Sequence, residues 1–198
     1  MTQSAALTDI QSVRIDWPEV QLPGVERLRI ADLVLEDKRL LECIGNLYTF
    51  ADEVKKLNCT NRDRLESYFI RSLKGLGQLK NLQEINLYGH DLGSLDISEL
   101  KTLKKINISE SNILSIDFSK NPWLEDVSIY EFNPENPGVL TVDFSQNKNL
   151  RRMRAQGINA IKLPESDSLE FLTLQLSLKK YLLKINIRIW IFLGILTL

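Results

Sequence analysis

The sequence predicts an α/β protein, a solenoid of short stacked repeats around a parallel sheet with a helical or irregular outer side. Three observations carry the prediction. The apolar spacing LxxLxL recurs along the chain, a second copy follows it inside the later units, and both copies shift together whenever a unit lengthens or shortens. With 198 residues and 43% hydrophobic side chains, the chain has enough apolar material for one continuous core.

The first copy runs Val25, Leu28, Ile30; Val54, Leu57, Cys59; Leu82, Ile85, Leu87; Leu103, Ile106, Ile108; Leu124, Val127, Ile129; Leu150, Met153, Ala155; and Leu169, Leu172, Leu174. Successive first positions lie 29, 28, 21, 21, 26 and 19 residues apart. The second copy runs Leu92, Leu95, Ile97; Ile113, Ile116, Phe118; Val139, Val142, Phe144; and Ile158, Ile161, Leu163, with the same steps of 21, 26 and 19. A short strand points alternate side chains into a shared core, then turns and supplies a second buried edge before the next coil. No unit buries its apolar face alone, so the units must stack.

The array spans residues 25–177. Before it, residues 1–24 read as an N-terminal cap in which Val13, Ile15 and Trp17 alternate with charged residues and stop at Pro18. The two longest units supply apolar residues for outer helices over 37–50 and 62–73. After the array, residues 178–198 leave the repeat register and carry Lys179, Lys180, Lys184 and Arg188 with no acid. Three readings of this tail stay open: a makeshift cap, a truncated array, or a membrane-surface segment.

These residues resemble the leucine-rich-repeat family over about residues 25–174. The phrases ILSIDFSKNPWLEDVSI and LTVDFSQNKNLRRM are similar to the short repeats of bacterial internalin-like surface proteins, while the two longest spacings look like helix-bearing repeats of the ribonuclease-inhibitor type. The resemblance implies a parallel sheet on a concave face that binds a protein partner. The asparagine that the family places three residues after LxxLxL is here His90, Ser111 and Phe132, so its buried amide ladder is expected to be largely missing.

Carried onto this chain, the partner-binding positions are Gln83, Glu84, Asn86, Tyr88, Lys104, Lys105, Asn107, Glu125, Asp126, Ser128, Tyr130, Arg151, Arg152, Arg154, Glu170, Phe171 and Thr173. Neighbouring strands bear opposite charges, so lateral pairing is expected to absorb part of them. Tyr88, Tyr130, Phe171 and the three arginines are the expected anchors, because aromatic and arginine side chains dominate binding energy. With Lys148, the arginines leave a basic end suited to an acidic peptide.

Catalytic chemistry finds no footing in the sequence. His90 is the only histidine and reads as a turn residue whose ring bonds local backbone; no GxSxG elbow, GxxxxGK[ST] loop or GxGxxG loop occurs, and zinc lacks ligands. No cofactor or metal is therefore expected, nor an enzyme. Cys43 and Cys59 read as separate buried thiols. Asp96, Asp117 and Asp143 occupy one repeat position in the phrase Asp-apolar-Ser, either capping their own turns or holding a cation along a column.

A net charge of −1 over the whole chain, and −5 over residues 1–177, argues against nucleic acid as a partner. The start of the chain has no basic, apolar leader, and the ten uncharged residues 189–198 fall short of the roughly 20 that span a bilayer. The expected address is the cytoplasm, with secretion by another route left open. The function so implied is a non-enzymatic protein-interaction module; the alternatives are the recognition part of a bacterial effector or enzyme whose catalytic domain lies elsewhere, and a surface adhesin fragment.

Overall fold

A computed structural model of the chain describes residues 26–130, 140–158, 160–176 and 191–193. Its class is α/β, with a mostly parallel sheet and few helices. The expected N-terminal cap strand, most of the tail and Val139 lie outside the described residues.

Strand formation follows from alternation. In β1 (Lys56–Thr60), β2 (Glu84–Tyr88) and β4 (Lys105–Ser109), every second side chain is buried and the ones between face outward. With β6 (Asp126–Tyr130), β8 (Arg152–Ile158), β10 (Phe171–Leu176) and β11 (Ile191–Leu193), they form a seven-stranded sheet in the order β1-β2-β4-β6-β8-β10-β11. All six pairings are parallel. The omitted numbers belong to the second copies of the spacing. β3 (Gly93–Leu95) pairs with β5 (Ile113–Ile116), and β7 (Thr141–Asp143) with β9 (Ala160–Lys162), each pair parallel.

The core lies between these two sets. One register row of the large sheet is Leu57, Ile85, Ile106, Val127, Met153 and Leu172; a second is Cys59, Leu87, Ile108, Ile129, Ala155 and Leu174. All twelve are buried, as are Leu82, Leu103 and Leu124, each three positions ahead of its strand's first core residue. Opposite them, Phe118 and Phe144 stack with ring centroids 4.6 Å apart.

The structure departs from expectation at both ends and on the outer side. Leu28 is exposed and Ile30 only partly buried, in a 3-10 turn whose neighbour Arg29 bridges antiparallel to Phe50. The earliest copy of the spacing therefore adds no strand to the sheet, which begins at β1. In the tail, Ile191 and Leu193 align with Leu172 and Leu174. Ile191 follows Leu172 by the same 19 residues that separate Leu172 from Met153, so residues 191–193 keep a register that composition had hidden.

Of the two expected outer helices, one forms as α1 (Arg39–Ile44), ended by Gly45 in the left-handed region at φ 65°. The other is reduced to a 3-10 turn at Glu66–Tyr68. The Asn61 side chain both donates to the Leu65 carbonyl and accepts its N–H, at 3.0 and 3.2 Å, while Arg64 takes a positive φ. That closed loop uses the backbone groups a helix start would need.

Cys43 and Cys59, expected as separate thiols, form a disulfide with Cα atoms 5.0 Å apart. Cys59 belongs to the inward row of β1, and α1 packs on that strand and turns Cys43 toward it. The repeat pattern placed Cys59 but carried no information on the helical phase of Cys43.

The amide ladder is present rather than missing. Asn121 Nδ2 donates to the carbonyls of Ile97 and Leu100 at 3.0 and 2.8 Å, and Asn147 Nδ2 to those of Phe118 and Asn121 at 3.0 and 2.8 Å. Both asparagines stand three residues after the second copy of the spacing, where the first copy has His90 and Ser111. The ladder has moved to the opposite edge of the core.

Candidate functional site

Because parallel strands stand about 4.8 Å apart, the outward residues of the large sheet form three continuous rows. The first is Lys56, Glu84, Lys105, Asp126, Arg152 and Phe171; the second is Asn58, Asn86, Asn107, Ser128, which is itself buried, Arg154 and Thr173; the third is Thr60, Tyr88, Ser109, Tyr130 and Gln156. Gln83, Lys104, Glu125, Arg151 and Glu170 lie just ahead of the first row. The structure thus brings the residues named from the sequence onto one side of the sheet, with Ser128 covered.

It also adds members. Lys56, Asn58 and Thr60 of β1 complete the rows, and the alternation in KLNCT already contained that signal. Trp123 was missed too: it immediately precedes Leu124 and is 59% exposed. The equivalent residues Asn81, Thr102 and Asn149 all donate to a carbonyl of the preceding unit, at 2.7–2.9 Å. Trp123 stands at the same position with its side chain largely in solvent.

The charges are paired laterally. Lys56 meets Glu84 at 2.6 Å, Lys104 meets Glu125 at 3.1 Å, and Arg151 hydrogen-bonds Glu170. The Lys56 ammonium, helped by Asn86, holds the Glu84 carboxyl below the usual range despite its partial burial. Glu170 raises the pKa of Arg151 in turn. Such exposed pairs are screened by solvent and mainly fix side-chain positions.

Around Asp126 the pairing is looser. Arg152 and Arg154 approach its two oxygens only to 3.8 and 3.6 Å, beyond the roughly 2.7–2.9 Å of a charge-assisted hydrogen bond. Arg154 also lies over the Phe171 ring, 4.9 Å from its centroid. In the third row, Tyr88 is half-buried and Tyr130 is 38% exposed. They stand two strands apart with Ser109 between them.

His90 lies elsewhere, buried behind the end of β2. Its Nε2 is 3.2 Å from the Cys59 carbonyl oxygen, and its Nδ1 accepts the Ile70 N–H at 3.3 Å. One nitrogen donating and one accepting describes a neutral ring, and burial pushes its pKa down. The ring bonds backbone as expected but not local backbone: the groups bonded are 31 and 20 residues away in sequence, because stacking of the strands brings Cys59 and Ile70 beside it.

Asp96, Asp117 and Asp143 accept the N–H of Ser98, Ser119 and Ser145 at 2.8, 2.8 and 2.7 Å. These bonds, together with the serine hydroxyls, hold Asp96 and Asp117 below the usual range; at Asp143 the Ser145 side chain is the larger cause and the N–H adds to it. Among the described residues no cluster of three or more His, Cys, Asp or Glu is arranged to hold a metal ion, and no helix is long and apolar enough to cross a membrane. No protein-family model matches the sequence, and a search of curated proteins finds no match.

Proposed function

We propose that the chain is a protein-interaction module: a leucine-rich-repeat-type solenoid that docks a protein partner on the outward rows of its large sheet. The observation that carries this reading is the register that places Tyr88, Tyr130, Phe171 and Arg154 on one exposed side of consecutive strands. Tyrosine, phenylalanine and arginine supply most of the energy at protein interfaces because each buries a large, stiff surface. Lateral ion pairing supports the reading, since it pre-orders long side chains and lowers the entropy cost of docking.

The test compares the full chain with a Tyr88→Ala/Tyr130→Ala variant and with Leu114→Gln, which alters an exposed residue of β5. Proteins captured by each are identified by mass spectrometry, and folding is checked by circular dichroism. A discrete partner lost with the tyrosines and kept with Leu114→Gln is expected. Equal capture by all three folded proteins defeats the proposal.

A further inference from the structure

We infer that the partner presents an acidic segment, and that its carboxylates seat among Lys105, Arg152 and Arg154 beside Asp126. This inference rests on the docking face proposed above and specifies its chemistry.

The argument begins from which charges are already used. Glu84 is matched by Lys56, Glu125 by Lys104, and Glu170 by Arg151, each in direct contact. Asp126 faces three cations: Lys105, its register neighbour on β4 and also that of Glu84; Arg152, its register neighbour on β8; and Arg154, 3.6 Å away. With the three direct pairs set aside, three positive groups remain against one carboxylate, so this part of the face carries surplus positive charge while the chain as a whole is −1.

The guanidinium donors there are also open. Among the described residues, the guanidinium groups of Arg152 and Arg154 donate no hydrogen bond, whereas that of Arg151 donates from both Nε and a terminal nitrogen to Glu170. A guanidinium offers five N–H groups in a fork that fits a carboxylate with two parallel bonds. Asp126 lies between the two forks, 3.8 and 3.6 Å from them, without closing on either. Phe171, 40% exposed and beneath Arg154, supplies an apolar wall at one side. Carboxylates spaced along an extended peptide match this pattern better than a polyphosphate backbone does. Asp126, Glu125 and Glu84 stand among the cations and would repel a continuous line of phosphates.

The experiment measures fluorescence anisotropy of a labelled oligoglutamate peptide bearing one tyrosine against the full chain, over rising salt. An oligolysine peptide and a single-stranded oligonucleotide serve as comparison probes. The oligoglutamate should bind, with affinity falling as salt rises. Arg152→Gln/Arg154→Gln should weaken it about tenfold, roughly the loss expected for a pair of charged contacts. A matched removal of two charges elsewhere, Arg64→Gln/Lys162→Gln, should change it less than about twofold.

No oligoglutamate binding at low salt, equal loss in the matched variant, or tighter binding of the oligonucleotide would each overturn the inference. If the acidic probe fails while capture of a partner still depends on Tyr88 and Tyr130, the acidic chemistry falls and the docking face stands.

Discussion

Asn147 donates its side-chain amide to the main-chain carbonyl of Asn121 at 2.8 Å, and both side chains are fully buried. Asn121 repeats the act on Leu100 of the preceding unit. Turn carbonyls cut off from water thereby gain donors from the next unit, and the stacking distance is fixed at those points.

Asn147→Leu is expected to remove the second donor from the carbonyls of Phe118 and Asn121, which keep the backbone N–H of Asn121 and of Leu124. A typical hydrogen bond contributes about 0.5–1.5 kcal/mol net. Asn147 Oδ1 is itself buried without a hydrogen-bond partner, so its removal offsets part of the loss. Destabilisation of about 1–2 kcal/mol in urea unfolding is expected, against less than about 1 kcal/mol for Asn149→Ala, whose bond to Pro122 is exposed. Equal effects at the two sites would remove the ladder from the account of stability.

His90 sets a pH dependence. Its folded pKa is depressed by burial, whereas in the unfolded chain it titrates near about 6.5. Above that value both states are neutral and histidine contributes no slope. As pH falls below it, the unfolded state takes a proton that the folded state refuses, so stability declines until the folded pKa is reached. The slope between about pH 6.5 and 5 is at most about 1.4 kcal/mol per unit. Urea unfolding of wild type and His90→Gln at several pH values checks this; an unchanged slope in the variant would show that other groups cause it.

How far the sequence was legible follows from which signals are periodic. Leu57, Leu82, Leu103 and their equivalents revealed strands and core because burial on alternate positions of stacked strands leaves a repeating trace. The outward rows followed from the same register. What escaped depended on a contact between segments of different period. The amide ladder was sought after Leu87 and Ile108 and stands after Phe118 and Phe144. The apolar run over 62–73 read as a helix because its spacing says nothing of Asn61 closing a loop on Leu65. The looseness of the Asp126 contacts is a matter of tenths of an ångström, which no spacing encodes.

The Cys43–Cys59 disulfide ties α1 to β1 across 16 residues. Closing a loop of that length in the unfolded chain contributes about 3 kcal/mol in the chain-entropy view. Denatured, unreduced protein should therefore resist alkylation, and dithiothreitol should lower the melting temperature. Hydrogen exchange should quicken in α1 and β1 first and leave β6 and β8 protected, because each strand contacts mainly its neighbours. Full alkylation before reduction, or loss of protection along the whole sheet, would contradict this.

Asp117 caps the turn at Ser119, and Asp143 nearby raises its pKa slightly against a larger lowering by the Ser119 bonds. A carboxyl with a depressed folded pKa stabilises the protein above its unfolded value of about 3.9, and that contribution fades as pH falls through the folded pKa. The same sign holds for Asp96 and Asp143, so acid should weaken the fold again well below the histidine window. Asp117→Asn keeps an acceptor oxygen and should match wild type at neutral pH, whereas Asp117→Ala should lose up to about 1 kcal/mol, a small value because the turn is exposed. Since each carboxylate is already engaged by its own serine N–H, added calcium should leave the melting temperature of all three proteins unchanged. A calcium-dependent rise in wild type that Asp117→Ala abolishes would instead mean that the column holds a cation.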